Sequence, residues 1–348
     1  MISVILAGGK GLRLWPTSRR QRPKQLCNFV GNRSMLNQTI DRLISIGSEQ
    51  VIIITGDELF TSVQQEIARR NDAHMITVLS EPEGKNTAPA VGLALASCID
   101  DIGDQIMGIF PADHYILDNH AFQNCIQRAR LAAQQNHIAT IGVNPHRPET
   151  GYGYIEKTRW EFGSLPDVYG VNSFCEKPDM DTARQYVNSG EHMWNAGIYI
   201  SRASVLLEEF QQHLPEIYTP ITSGLENYIH SYSSLPNISL DYGLAEKCTR
   251  MAVVPSDFGW CDLGSWNALP EVFPADADHN VCCGEDLVAL ESSDCVVKQV
   301  EKSIVLFGVD NLLIVETDDI VFVADRNRAQ DIRQVVDKLS HLNRQDLL

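Results

Sequence analysis

Ile2-Ser3-Val4-Ile5-Leu6-Ala7-Gly8-Gly9-Lys10-Gly11-Leu12-Arg13-Leu14-Trp15-Pro16-Thr17-Ser18-Arg19-Arg20-Gln21-Arg22-Pro23-Lys24 is the stretch whose reading decides the rest of the chain. A short β-rich run, Ile2 to Leu6, breaks into three glycines in four positions, Gly8, Gly9 and Gly11. Glycines there let the backbone take positive φ and approach a ligand closely, and consecutive N–H groups in such a turn form a nest for an anion. Six Lys or Arg follow within the fifteen positions Lys10 to Lys24, with no acidic residue among them, although the whole chain carries 45 acidic against 28 basic residues and a formal charge of -17. A glycine turn alone is as readily structural as functional. The local positive field beside it suits a polyphosphate, which the rest of an acidic surface would repel. The spacing departs from the two common nucleotide patterns: GxGxxG begun at Gly9 would need glycine where Leu14 stands, and no Gly-Lys-Ser or Gly-Lys-Thr follows.

Downstream, apolar runs at Val51–Ile54, Met75–Leu79, Ile106–Phe110 and Ile138–Val143 alternate with helical patterns up to Arg70, from Pro89 to Ile99 and from Ala121 to Gln135. Nearly continuous apolar strands separated by helices of this length predict a doubly wound α/β domain, its sheet parallel and covered on both faces. Such sheets hold ligands beyond the carboxyl ends of their strands. The polar segments Glu81-Pro82-Glu83-Gly84-Lys85-Asn86-Thr87 and Pro111-Ala112-Asp113-His114 fall there, beside the first glycine loop. Asn86 or Thr87 is expected to cap the next helix, with Pro89 tolerated in its first turn.

After Leu269 the texture changes to short Val-, Ile- and Leu-rich runs over 285–323, separated by acidic or glycine turns, and a helical pattern from Ala329 to Leu342 closes the chain. Pro270 and Pro274 interrupt the pattern before that tail. The expected division is a catalytic domain over 1–270 and a small β-rich domain over 280–348 ending in one helix.

Composition narrows the class. With 44% hydrophobic residues the chain can bury a full core. Only seven residues precede Gly8, too few for a signal peptide, and no run of 18 apolar residues occurs. The nine cysteines, at 27, 98, 125, 175, 248, 261, 282, 283 and 295, form no CxxC pair and read as free thiols of a cytoplasmic protein. Acidity without a second basic, aromatic-laced patch argues against nucleic acid, and nothing points to a membrane.

Asp113 directly follows an apolar strand, and Asp262 stands in Phe258-Gly259-Trp260-Cys261-Asp262-Leu263-Gly264 between bending glycines. Two carboxylates converging without a His or Cys cluster suit Mg²⁺ bridging phosphates rather than zinc, although either aspartate alone reads equally as a turn residue. Glu176-Lys177-Pro178 pairs an acceptor for sugar hydroxyls with a cation for a phosphate. In a regular strand their side chains would point to opposite faces, so a bulge or turn at Pro178 has to reconcile them. Gly151-Tyr152-Gly153-Tyr154 and Trp194-Asn195-Ala196-Gly197 offer exposed backbone, an amide and an aromatic wall, material for a sugar or simply core aromatics beside tight turns. No G-x-S-x-G elbow or H-E-x-x-H motif occurs, which disfavours covalent hydrolysis and metalloprotease chemistry.

Taken together, Leu6 to Gln25, Glu81 to Ala90, Pro111 to His114, Gly151 to Ile155, Phe174 to Pro178, Trp194 to Gly197, Leu240 to Lys247 and Phe258 to Trp266 resemble, in family order, the nucleotidyltransferases that make nucleotide sugars, and specifically the bacterial mannose-1-phosphate guanylyltransferase family. The resemblance implies a Rossmann-like, doubly wound mixed-sheet catalytic domain with a short β-helix-like tail. It implies the reaction of GTP with mannose 1-phosphate to give GDP-mannose and pyrophosphate, in polysaccharide biosynthesis, with Mg²⁺ (or Mn²⁺) as cofactor; no sequence feature fixes the oligomeric state, and a homodimer is left open. By motif, Arg13, Lys24, Asp113 and Asp262 would be catalytic, the two aspartates holding the metal. Leu6, Ala7, Gly8, Gly9, Gly11, Glu81, Asn86 and Asp113 would bind the nucleotide; Gly153, Glu176, Lys177 and Asn195 would bind the sugar phosphate.

Two departures stand out. Lys85 occupies a position where the family commonly has arginine, and many bacterial relatives continue into an isomerase domain for which this chain leaves no room, so transferase activity alone is expected. The attacking phosphate oxygen is already deprotonated, so no catalytic base or covalent intermediate is expected. The alternatives are a guanylyl-, thymidylyl- or uridylyltransferase for another hexose 1-phosphate, and a non-catalytic nucleotide-sugar sensor; an NAD-dependent dehydrogenase is disfavoured by the glycine spacing.

Overall fold

The first strand, β1 (Ile2–Leu6), runs between two parallel neighbours, β2 (Gln50–Gly56) and β4 (Ile106–Pro111), with Leu6 level with Ile54 and Pro111. The computed structural model describes residues 1–9, 11–100, 103–161 and 165–348, without the side chain of Leu12; Lys10, part of the basic run, lies outside the described residues. Two compact units organise it. One comprises Met1–Gly8, Ile40–Ala112 and Asp118–Trp260; the other comprises Gly9–Thr39, Asp113–Leu117 and Cys261–Leu348.

The first unit is built on a nine-stranded sheet. Besides β1, β2 and β4 it contains β3 (Ile76–Glu81), β5 (Ile138–Val143), β6 (Gly153–Glu161), β7 (Tyr169–Glu176), β8 (His192–Arg202) and β9 (Met251–Ser256), in the order β3-β2-β1-β4-β8-β5-β9-β7-β6. β1 to β4 are mutually parallel. The wholly parallel sheet expected from the apolar runs is corrected by β8, which lies antiparallel between β4 and β5, and by β7, antiparallel to β9 and β6. The sheet is therefore mixed, as the family resemblance implies. β8 carries an amide, a glycine and two aromatics among its apolar residues, so its sequence looks like binding material rather than a central strand.

Alternate residues of β1 and β2 bury on both faces: Val4, Ile52 and Ile54 join one core with the helix Thr87–Cys98 and the helices between Ala203 and Ser231, while Ile5, Val51 and Ile53 bury on the other side. That two-sided burial is what continuous apolar strands require.

In the second unit, β10 (Val281–Cys283), β12 (Val296–Lys298) and β14 (Leu312–Glu316) stack in parallel, closed by antiparallel β15 (Val321–Asp325), while β11 (Leu287–Leu290) pairs in parallel with β13 (Ile304–Phe307). Two stacked sheets of short parallel strands make a β-helix-like coil. A closing helix, Ile332–His341, follows a 3₁₀ segment at Arg326–Asp331. The reading from sequence placed residues 9–39 with the catalytic domain; their packing places them in this second unit. Leu14, Trp15, Cys27 and Phe29 join Trp266, Val296, Leu313, Val315 and Ile332 in one core. Trp15 packs edge-on to Phe322 at 5.3 Å and donates through Nε1 to the Leu347 carbonyl, while the Trp266 indole donates to the Trp15 carbonyl.

Candidate active site

The glycine loop and the basic lip are tied together within the second unit. Gly11 has φ of +54°, and a Cβ there would stand 2.7 Å from the Lys24 Cβ, so glycine is required both by conformation and by contact. Ser18 donates to the Gly11 carbonyl at 2.6 Å, and Gln25 Nε2 donates to the Gly9 carbonyl at 3.0 Å. Lys24, on the 3₁₀ turn Lys24–Leu26, is buried. Its ammonium binds Asp113 Oδ2 at 2.8 Å and also donates to the main-chain carbonyl of Asp262.

Lys24, Asp113 and Asp262 are thus brought together, 89 and 238 residues apart in sequence for the two pairs. Burial pushes the Asp113 carboxyl up, but the charge of Lys24, His114 and the Lys24 hydrogen bond together hold it below the usual aspartate value. Asp262 Oδ1 accepts from Gly264 N at 2.9 Å, and a Cβ at Gly264 would stand 2.7 Å from Asp262 Oδ2, so that glycine leaves room for the carboxylate. Leu263 between them has φ of +45°, a backbone state that ordinary residues rarely hold. Arg13, on the short 3₁₀ turn Leu12–Leu14, is exposed and makes no hydrogen bond or ion pair among the described residues.

Among the described residues no group of three or more His, Cys, Asp or Glu could hold a metal. A hard divalent cation such as Mg²⁺ takes one or two carboxylates and completes its shell with phosphates and water. The hard-oxygen donors available are the carboxylates of Asp113 and Asp262.

The remaining candidate residues stand in the first unit. Leu6 and Ala7 end β1, with Ala7 N donating to the Ile54 carbonyl. Gly8 follows, and a Cβ on it would meet Glu81 Oε2 at 2.9 Å. Glu81 ends β3, buried. Asn86 caps the helix Thr87–Cys98, its side chain accepting from Thr87 N at 3.0 Å, from a backbone at φ +70° and ψ -173°, a combination nearly confined to glycine. Lys85, the departure from the family's arginine, sets its ammonium on the carbonyls of Ser233 and Leu235 and 3.3 Å from Glu83. A point cation is adequate for capping carbonyls, where a bidentate fork is not needed.

The conflict at Glu176-Lys177 is resolved by the backbone. β7 ends at Glu176, and Lys177 turns to φ +49°, so Nζ reaches Glu176 Oε1 at 2.6 Å. Glu176 faces Gly153 across the β6–β7 ladder, where a Cβ would come within 2.5 Å of Glu176 Oε2. Burial first, and then the charge of Asp241, raise the Glu176 carboxyl above its ordinary value against the opposing effect of Lys177.

Asn195 lies where the β5–β8 register slips, with Gly197 at φ +66°; such bulges re-aim a side chain. Its amide Nδ2 donates to Tyr199 Oη at 2.8 Å and Asp241 Oδ1 at 3.1 Å, and its Oδ1 accepts from Thr140 Oγ1 at 2.8 Å. Tyr199 Oη donates to the same Asp241 oxygen at 2.5 Å. Asp241 opens a π-helical turn, Asp241–Ala245, a form common at functional sites. Reasoning from sequence assigned no role to Asp241, Tyr199 or Thr140; only Asp241 carried a signal, as part of the Leu240–Lys247 block.

The Nucleotidyl transferase family matches residues 2–279, and the MannoseP isomerase/GMP-like beta-helix domain family matches residues 285–339. The chain is 38% identical over 355 residues to a putative mannose-1-phosphate guanylyltransferase of Vibrio cholerae, covering 99% of this chain and 75% of that protein. It is 36% identical over 354 residues to a mannose-1-phosphate guanylyltransferase of Escherichia coli, again covering 99% and 75%. A crystal structure described as a mannose-1-phosphate geranyltransferase from Thermus thermophilus superposes with a TM-score of 0.88 at 32% identity, covering 97% of this chain and 98% of that one. Among the described residues, no helix is long and apolar enough to cross a membrane.

Proposed function

The chain belongs to the nucleotidyl transferase family, and from that premise we propose that it transfers the guanylyl group of GTP to α-D-mannose 1-phosphate, giving GDP-mannose and pyrophosphate. The observation that carries the reading is the buried Lys24 ammonium joined to Asp113 and to the Asp262 backbone beneath the glycine loop. The reaction is a displacement at phosphorus: a phosphate oxygen of the sugar phosphate forms a bond to the α-phosphorus as the bond to the β-phosphate oxygen breaks, and pyrophosphate departs with that electron pair. The attacking oxygen is already anionic, so the protein's task is alignment and charge neutralisation.

In this reading the N–H groups of the glycine loop, Gly8, Gly9 and Gly11, cradle the triphosphate, and Lys24 with Arg13 stabilises charge on the transferred and leaving phosphates. Asp113 and Asp262 hold the divalent cation, Mg²⁺ in preference to Mn²⁺, which when bound supplies charge to polarise the phosphate oxygens. Leu6, Ala7, Glu81 and Asn86 contact the nucleoside. Glu176 and Asn195 accept and donate to sugar hydroxyls, Lys177 holds the sugar phosphate, and Gly153 leaves room for Glu176. The catalytic domain over 1–270 and the small domain over 280–348 remain our division by function, supported by the two family matches.

A cytoplasmic enzyme fits nine cysteines held as thiols. A homodimer fits the outer face of β11 and β13, where Val288, Leu290, Val305 and Phe307 stand exposed on paired strands.

The deciding experiment is pyrophosphate release from GTP and Mg²⁺ with mannose 1-phosphate against glucose 1-phosphate. Preference for mannose 1-phosphate is expected; preference for another sugar phosphate or triphosphate would move the protein to another specificity in the family. Binding of GDP-mannose without any release would make it a sensor.

A further inference from the structure

The exposed part of the basic lip is a tight hairpin. Arg19 N donates to the Arg22 carbonyl at 2.9 Å and Arg22 N donates to the Arg19 carbonyl at 3.1 Å, so Arg20 and Gln21 form a two-residue tip that stands in solvent. Three arginines in four positions repel one another across so short a turn. The base of the hairpin is pinned from inside, where the Cys27 thiol faces the carbonyls of Thr17, Arg22 and Pro23 at 3.2, 3.3 and 3.4 Å. A thiol is a weak donor with a single hydrogen, so it steadies the base and leaves the arginines unpaired.

A second hairpin, in the tail, holds the first. Between β14 and β15, in the same compact unit as the lip, Thr317 and Ile320 close a turn around Asp318 and Asp319: Thr317 N donates to the Ile320 carbonyl at 2.8 Å, and Ile320 N donates to Thr317 Oγ1 at 3.0 Å. Thr317 Oγ1 lies 3.0 Å from Asp319 Oδ1 as its donor. The carboxylate so placed meets the Arg19 guanidinium edge to edge: Nη1 donates to Oδ2 at 2.8 Å, and Nη2 donates to Oδ1. Arg19 Nε donates to the Pro16 carbonyl at 3.2 Å, which fixes the plane of the fork. The hydrogen bond from Arg19 is the leading cause that holds the Asp319 carboxyl below the usual aspartate range, so the pair stays ionised near neutral pH. Two partners 300 residues apart thus form a polar clasp between tail and lip.

The geometry points to Asp319 as a positioning residue: through Arg19 it holds the hairpin Arg19–Arg22 in the place where the triphosphate meets the lip. The inference rests on the guanylyltransferase reading and adds to it a residue of the tail. The opposite reading makes Arg19 a phosphate ligand that Asp319 withholds, and the two differ in sign. A clasp that positions makes GTP binding weaker when it is cut; a clasp that withholds makes GTP binding tighter.

The test measures KM for GTP and for mannose 1-phosphate in Asp319→Asn, Arg19→Gln and the double variant. Each single change should raise KM for GTP by about fivefold, the upper end for one exposed ion pair, and leave KM for mannose 1-phosphate nearly unchanged. The double variant should be no worse than either single one, since both cut the same clasp. The ratio of variant to wild type should also fall towards one as the screening length shrinks to about 3 Å at roughly 1 M salt. A merely structural role would raise both KM values and would not fade with salt. A lowered or unchanged KM for GTP in Asp319→Asn overturns the inference.

Trypsin gives a readout that needs no turnover. The bond after Arg20 lies at the exposed tip, while Arg22 precedes a proline and resists cleavage. Asp319→Asn should be cut after Arg20 about fivefold faster than the wild type, read by mass spectrometry of the whole chain. Equal cutting of the two proteins overturns the inference even where both release pyrophosphate. A wild type that releases no pyrophosphate from any triphosphate would instead remove the transferase reading, and the proteolysis would still decide whether Asp319 holds the hairpin.

Discussion

A buried ammonium is tolerable at Lys24 because two oxygens from distant parts of the chain share it, the Asp113 carboxylate and the Asp262 carbonyl. Replacing it with methionine keeps the volume and removes the charge. Lys24→Met should reduce pyrophosphate release by about 100-fold or more, the scale of losing one preorganised cationic contact. The same change should alter acid behaviour. Asp113 sits below its ordinary value, so its contribution to stability is complete above the unfolded aspartate value, about 3.9, and is lost only as pH falls through the depressed folded value. Without Lys24, burial is left to dominate and the carboxyl should protonate at higher pH, which ¹³C-carboxyl NMR titration would register as an upward shift. Glu176 behaves oppositely. Its carboxyl is raised by burial and Asp241, so the charged form is lost at higher pH than for an ordinary glutamate. KM for mannose 1-phosphate should therefore climb as pH falls towards that value, and Lys177→Met, which removes the opposing cation, should move the climb to higher pH. Taking the difference between the two proteins cancels the titration of the sugar phosphate itself, whose second ionisation lies near 6.

At the scale of elements, legibility followed periodicity. The apolar runs at 2–6, 51–54 and 106–110 became β1, β2 and β4, and the short runs of the tail became β11 to β15 within a residue or two. β8 escaped because a strand with Asn195 and Gly197 in it lacks the continuous apolar signature, and its bulge is a tertiary feature with no local motif. Lys177 at φ +49° and Leu263 at φ +45° could not be read either, since left-handed backbone at Lys or Leu contradicts propensity and is held by surrounding structure. Register, in contrast, makes a specific prediction. Because Gly153 is level with Glu176 on the neighbouring strand, Gly153→Ala drives a methyl into the carboxylate and towards the Phe174 ring, 3.0 Å away. The strand pair should survive while Glu176 is displaced. KM for mannose 1-phosphate should rise by about tenfold with KM for GTP nearly unchanged; equal rises in both would mean that the sheet, and not the carboxylate, had moved.

For the whole molecule, the basic lip takes its support from the tail. Apolar residues scattered through residues 14–29 show no helical or strand period, so nothing local announces that Trp15 and Phe29 belong to a core built by residues beyond 260. The tail's inner positions are accounted for in this way: Leu287, Ala289, Ile304 and Leu306 pack with Cys295, Val297 and Ile314. The alternate positions of the same two strands point outward, and the parallel register sets Val288 beside Val305 and Leu290 beside Phe307, each more than half exposed. Four apolar side chains on one strip are costly to leave in water, and on a chain of net charge -17 an uncharged strip is where two like-charged copies can approach most closely. Burying this strip against its counterpart in a second copy gives a self-complementary interface of the twofold kind. Phe307→Asp combined with Val305→Asp would set two carboxylates beside two more across such an axis. Light scattering behind size exclusion should show a dimer for the wild type and a monomer for the double variant, with the far-ultraviolet circular dichroism unchanged because both side chains are already exposed in the single chain. A wild type that runs as a monomer at micromolar concentration, or a double variant that remains dimeric, would remove this face as the site of association.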